Sequence, residues 1–197
     1  MAPIEQYAMD RDAEIALAKS AAPAAITRDA KVLVLGRTGY ETAIEGKNGF
    51  VCIVERSWQA PFDSREFWNP KTRGAICYNP PAARTVVPAT VKRQQLILAG
   101  LSKAQVIDSI KAAFEKGELQ APAPGSMSYM IAKGSRLNDN GNMAHLMFYV
   151  PHADGTVWGA GVPDLPFYVS QDPIDRTTTL IVPIGKWSDG STTSPTS

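Results

Sequence analysis

Residues 49–58, Gly-Phe-Val-Cys-Ile-Val-Glu-Arg-Ser-Trp, restrict the fold of this chain more than any other stretch. Side chains alternate across a strand, which puts Phe50, Cys52 and Val54 on one face and Val51, Ile53 and Glu55 on the other. A strand that is apolar on both faces belongs inside a sheet with cover above and below. Upstream, residues 40–44 read as a second short strand. Gly46-Lys47-Asn48-Gly49 between them supplies residues that tolerate positive φ, so the two strands are expected to form an antiparallel hairpin.

Cys52 lies in the middle of that strand, and the only other cysteine is Cys77. Two cysteines make one bridge or none. A bridge would close a loop worth roughly 3–4 kcal/mol on the chain-entropy estimate; the alternative is that Cys52 is a small buried hydrophobe unrelated to Cys77. A lone pair fits an exported protein better than a metal site, which needs more thiolates or closely spaced histidines. Residues 59–81 contain Pro61, Pro70, Pro80 and Pro81 together with Phe62, Phe67, Trp68 and Tyr78. So aromatic a loop is expected to pack on the sheet beneath the bridge.

Elsewhere the local signals are plainer. Residues 10–20 predict a helix, with Asp10, Asp12 and Glu14 at its positive end and Lys19 at its negative end. Residues 31–36, Lys-Val-Leu-Val-Leu-Gly, predict an interior strand. Residues 82–117 are the helical half, with Pro88 in a first turn or at a kink and Gly100 as a stop. Ser102-Lys103-Ala104-Gln105 is a capping box, and Leu101 is placed to staple onto Val106. Val106, Ile107, Ile110, Ala113 and Phe114 share one face at helical spacing. Strands are expected at 128–133 and 145–150, joined by the polar stretch 137–142 with its Asn140-Gly141 turn signal. A last pair follows at 167–170 and 178–184, where Pro183 requires an edge or a strand end. Residues 1–187 thus form one α+β domain, a mostly antiparallel sheet of about six strands under a helical layer from the middle of the chain. Residues 188–197, small and polar, are expected as a disordered tail.

A net charge of +1 with no Lys/Arg cluster argues against nucleic acid as a partner. No apolar run reaches the roughly 18 residues of a membrane span. The first residues lack a basic and then apolar leader; a mature exported chain carrying an initiating Met would look the same.

No nucleophile elbow, Walker loop, His-Glu-x-x-His or dinucleotide fingerprint occurs, and Gly159-Ala160-Gly161 lacks the third glycine of a phosphate cradle. The two histidines, His145 and His152, bracket a strand and with Asp154 form the candidate metal set; no other cofactor is expected. The bland alternative is a core histidine plus a turn histidine. Trp158, Phe167 and Tyr168 on a Gly/Pro-rich segment, with Tyr149 nearby in sequence, form the candidate surface for a small ligand or a protein partner. Glu41, Glu45, Glu55, Asp172 and Asp175 are carboxylates from which an acid/base pair could be drawn if the fold brings two together.

Taken together, Lys31-Val-Leu-Val-Leu-Gly, Gly39-Tyr-Glu-Thr-Ala, Gly46-Lys-Asn-Gly-Phe-Val-Cys, Phe67-Trp-Asn-Pro-Lys, Cys77-Tyr-Asn-Pro-Pro and His145-Leu-Met-Phe-Tyr resemble an uncharacterised family of bacterial hypothetical proteins. The resemblance covers most of the chain after about residue 10. It implies an exported, periplasmic or extracellular domain, supports the Cys52–Cys77 bridge, and brings no activity or catalytic residue. The expectation is a non-enzymatic exported or envelope-associated module that binds a small ligand or protein. The alternative is a metal-assisted hydrolase using His145 and His152 with a carboxylate.

Overall fold

A computed structural model describes residues 1–138 and 141–193. It opens with α1 (Arg11–Lys19), whose Asp10 cap accepts from the amide of Ala13, and the short α2 (Ala24–Thr27). Then come β1 (Lys31–Leu35), β2 (Tyr40–Ile44), β3 (Val51–Glu55) and β4 (Gly74–Tyr78). The helical segment is α3 (Pro80–Thr85), α4 (Val87–Leu98) and α5 (Lys103–Glu115); β5 (Met127–Met130), β6 (His145–Pro151), β7 (Tyr168–Asp172) and β8 (Thr177–Pro183) complete the chain.

The α+β expectation holds, with more strands than the sequence suggested. Among the described residues there is one sheet of eight strands, in the order β2-β1-β3-β4-β5-β6-β8-β7. It is antiparallel except where β1 runs parallel to β3. The additional central strand is β4, buried at all five residues, which the surrounding prolines disguise as loop.

The expected hairpin between β2 and β3 does not form. β1 lies between them, pairing antiparallel with β2 and parallel with β3. Residues 45–50 therefore pass around the start of β1, held by Lys47 and Asn48 amides on Asp29 O and by Lys31 N on Phe50 O at 2.8 Å. Gly46 is needed for close approach, not for a reversal. A Cβ there would stand 2.2 Å from Lys31 N, inside any allowed contact.

The two faces of β3 separate as alternation requires. Cys52 and Val54 join Val32, Val34, Ala75 and Cys77 in a cluster covered by Ala18, Ala21 and Ala22 of the α1 region. Ile53 joins Ile76, Tyr78 and Met130 on the opposite face, beneath Ala82, Val87 and Val91 of the helical segment. Cys52 and Cys77 stand directly opposite each other in the β3–β4 ladder, Cα atoms 4.0 Å apart, and are disulfide-bonded.

The aromatic stretch after β3 packs away from the bridge. Trp58 and Phe67 are buried with Ile97, Val106, Ile110 and Phe114, so the stretch lies against α4 and α5, not on the sheet under the disulfide. Tyr7 packs on Trp58 with the rings tilted and their centroids 4.5 Å apart, and donates its hydroxyl to Trp68 O at 2.8 Å. The capping box at Ser102 and Gln105 forms as read, and Leu101 packs into the same cluster as Val106.

A buried ion pair ties these layers together. Arg56 and Glu14 are almost fully buried. The guanidinium donates to Glu14 Oε1 at 2.9 Å, to Tyr7 O at 2.7 Å and to Val54 O. Glu14, read from the sequence as an acidic residue at the positive end of the helix, also accepts from the Leu35 amide at 3.1 Å.

The helical segment is an excursion between two adjacent strands, β4 and β5. Asn79 clasps its neck: the side chain caps α3 through Ala82 N, accepts from Met127 N at 3.1 Å, and donates to Gly125 O at 2.8 Å. Of the predicted tail, residues 188–193 form a turn in which Ser188 N donates to Ile131 O and Thr193 N to Gly185 O; residues 194–197 lie outside the described residues, as do Asp139 and Asn140 of the polar loop.

Candidate functional site

The strand register sends Glu55, Tyr78, Met147, Tyr149, Thr179, Ile181, Ser170 and Asp172 to the face that α3 and α4 cover. Small residues on the helices, Ala89 and Thr90 of α4 and Thr85 of α3, leave the helical layer standing off the sheet here. The result is a cavity of about 230 Å³, closed at one side by Phe114 of α5 and at another by Asp172 and Asp175.

Its inner wall is a hydrogen-bonded cluster. Tyr78 donates its hydroxyl to Glu55 Oε1 at 2.5 Å, and Tyr149 stacks on Tyr78 with centroids 6.1 Å apart. The Tyr149 hydroxyl lies 2.8 Å from Ser128 Oγ. Burial pushes the Glu55 carboxyl up from 4.5 to about 7, against the opposing pull of the Tyr78 hydrogen bond and the Arg93 charge. Burial also raises both phenols, so Tyr78 and Tyr149 stay neutral. Near neutrality Glu55 can therefore give or take a proton, and the tyrosines act as fixed hydrogen-bonding groups.

The rim is organised by Arg93 of α4, which is 1% exposed. Its guanidinium reaches Asp175 Oδ2 at 2.6 Å and Asp172 Oδ2 at 3.4 Å, lies 4.2 Å over the Phe62 ring, and donates to Ala60 O at 3.1 Å. Asp172 Oδ1 in turn accepts from the amides of Ile174 and Asp175, fixing the β7–β8 turn. Desolvation raises the Asp175 carboxyl above its ordinary value despite the arginine, and its Oδ1 is buried without a hydrogen-bond partner among the described residues.

The residues singled out from sequence are dispersed. His145 and His152 fall at opposite ends of β6, about 23 Å apart at 3.3 Å per residue, so no single ion can take both. His145 is buried, with Nδ1 2.7 Å from Met143 O, and desolvation lowers its pKa. His152 is exposed beyond the strand. Asp154 caps the turn Gly155–Trp158 by accepting from Thr156 N at 3.0 Å, which lowers its own pKa. No group of three or more potential metal-ligating His, Cys, Asp or Glu side chains occurs among the described residues.

Tyr149 lines the cavity, and Tyr168 sits on the same sheet face but at the outer edge, 59% exposed. Trp158, half-buried, belongs to the turn that packs over Val169 and Gln171 on the opposite face. Phe167 is half-buried just before β7. The expected Trp158–Phe167–Tyr168 surface is thus divided between two sides of the sheet. Of the five carboxylates, Glu55, Asp172 and Asp175 meet in the cavity; Glu41 is exposed on β2 and Glu45 pairs with Lys31 at 3.3 Å in solvent. Tyr78 and Arg93 carry no local signal. Glu55 had one: it shares strand parity with Val51 and Ile53 and so had to face a covered side.

No protein-family model, curated protein or solved structure matches the chain.

Proposed function

We propose that the protein is an exported binding module that takes a small ligand into the cavity between the sheet and the helical segment. The observation that carries this is the convergence of Glu55, Tyr78 and Tyr149, from three different strands, on one open space of about 230 Å³. Sites of this kind are concave, mostly apolar, and furnished with a few polar groups that fix orientation. The formed Cys52–Cys77 bridge supports an oxidising compartment, hence export to the periplasm or the exterior. Among the described residues no helix is long and apolar enough to cross a membrane.

A fragment screen by amide chemical shifts tests the reading. Hits should perturb residues around Tyr78, Tyr149 and Thr179, and Ala89→Phe, which fills the cavity from α4, should abolish them. Hits confined to the Trp158 and Tyr168 surfaces would return the site to the edge of the sheet.

A further inference from the structure

We infer that the occupant of the cavity is a small organic cation, an ammonium or guanidinium group on a short apolar body; the inference rests on the cavity being the ligand site. Three carboxylates line the space and, among its lining residues, no lysine, arginine or histidine does. Arg93 lies behind the rim, where its one positive charge faces both Asp172 and Asp175. The Arg93 pairing therefore leaves one negative charge over when both aspartates are ionised, before Glu55 and the solvent-exposed Arg176 beside Phe114 are counted. An anion placed here would meet that charge in a partly desolvated space, where like charges repel far more strongly than in water. A neutral ligand would leave it unbalanced.

The unpartnered Asp175 Oδ1 is a separate observation that points the same way, since a buried carboxylate oxygen without a donor is costly until one is supplied. The apolar walls suit a cation as well. Tyr78, Tyr149 and Phe114 are aromatic, and ring faces attract ammonium and guanidinium groups. The Phe114 ring already has the exposed Arg176 guanidinium 5.4 Å from its centroid. At about 230 Å³ the space falls below the roughly 300–1,000 Å³ of sites for drug-sized molecules, which limits the apolar body to a single ring or a short alkyl chain.

Glu55 is the inner counter-ion. The groups that face it are Tyr78 of β4, Tyr149 of β6, Tyr40 of β2 and Arg93 of α4. The three phenols are neutral, and Arg93 is engaged by the aspartates. Below neutral pH an incoming cation is thus the group that ionises Glu55, displacing its proton to solvent; at pH 8 the carboxylate is already there to pair with it.

Benzylamine, protonated at pH 8, and its neutral isostere benzyl alcohol test this on the full-length, disulfide-bonded protein by ¹H–¹⁵N titration. Benzylamine is expected to bind at least tenfold tighter, with shifts centred on Tyr78, Tyr149 and Asp172, and Glu55→Gln should remove most of that preference. If the variant does not fold, Asp172→Asn on the half-exposed rim carries the same comparison. Shifts at these residues with equal or stronger binding of the alcohol would overturn the cation while leaving the cavity as the ligand site. Absence of cavity shifts with either probe would overturn both.

Discussion

The two halves of the sheet are built to different standards. Around β1, β3 and β4 both faces are covered: α1 and a run of alanines press on the disulfide side, the helical segment on the other, and Cys52, Ile53 and Val54 have no exposure at all. Around β6, β8 and β7 one face fronts the cavity. The other carries Leu146, Val150, Leu180 and Val182, all half-buried, with Phe148 39% exposed. Complete burial is concentrated in the first half, and the second leaves one face on an open space and the other half-exposed.

Arg56→Ala gives the largest test of that contrast. It leaves Glu14 buried without its partner and should cost about 3–5 kcal/mol in urea unfolding. A loss near zero would mean that water reaches Glu14 and that the covered half is not dry. Replacing Cys52 and Cys77 together by alanine should cost roughly 3–4 kcal/mol for a bridge spanning 25 residues. The cavity should survive in that variant, because none of its lining residues belongs to the disulfide face.

The cavity half should answer to pH. Glu55 holds its proton to about pH 7 when folded but only to about 4.5 when unfolded, so it weakens the fold progressively as pH rises between those values and adds no further change above. Glu55→Gln removes this. The variant's melting temperature relative to wild type should therefore rise from pH 4.5 to pH 7.5; a difference constant with pH would remove Glu55 from the cavity wall. Comparing the two proteins also cancels His145, which burial holds neutral and whose contribution falls away in the opposite direction, on acidification. The smallest effect is expected at Phe148→Ser, within about 0.5 kcal/mol, as for an ordinary surface site. A loss of 2 kcal/mol or more there would show that the outer face is as tightly built as the inner one.

What sequence made legible was local. The capping box at Ser102, the stop at Gly100, the parity of residues 51–55 and the terminal position of Pro183 all depend on neighbours within a few residues, and each appears in the structure. Strand adjacency was not legible. Gly46 and Gly49 look like a hairpin turn because the alternative, a crossover beneath Lys31, depends on a backbone fifteen residues away. β4 was hidden for a similar reason, its five buried residues lying between prolines that belong to the segments on either side. The site was the least legible part. Glu55, Tyr78, Arg93, Tyr149 and Asp172 come from five elements, and histidines, conspicuous for their chemistry, were separated by the full length of β6.

The Asn79 clasp gives the molecule a modular character. Because both ends of the helical excursion are fastened to one side chain, the points at which the segment leaves the sheet and returns to it are fixed independently of its length. Helical caps of other sizes could be grafted between Asn79 and Met127 without rethreading a single strand, so the shape of the chamber could diversify while the β scaffold is inherited unchanged.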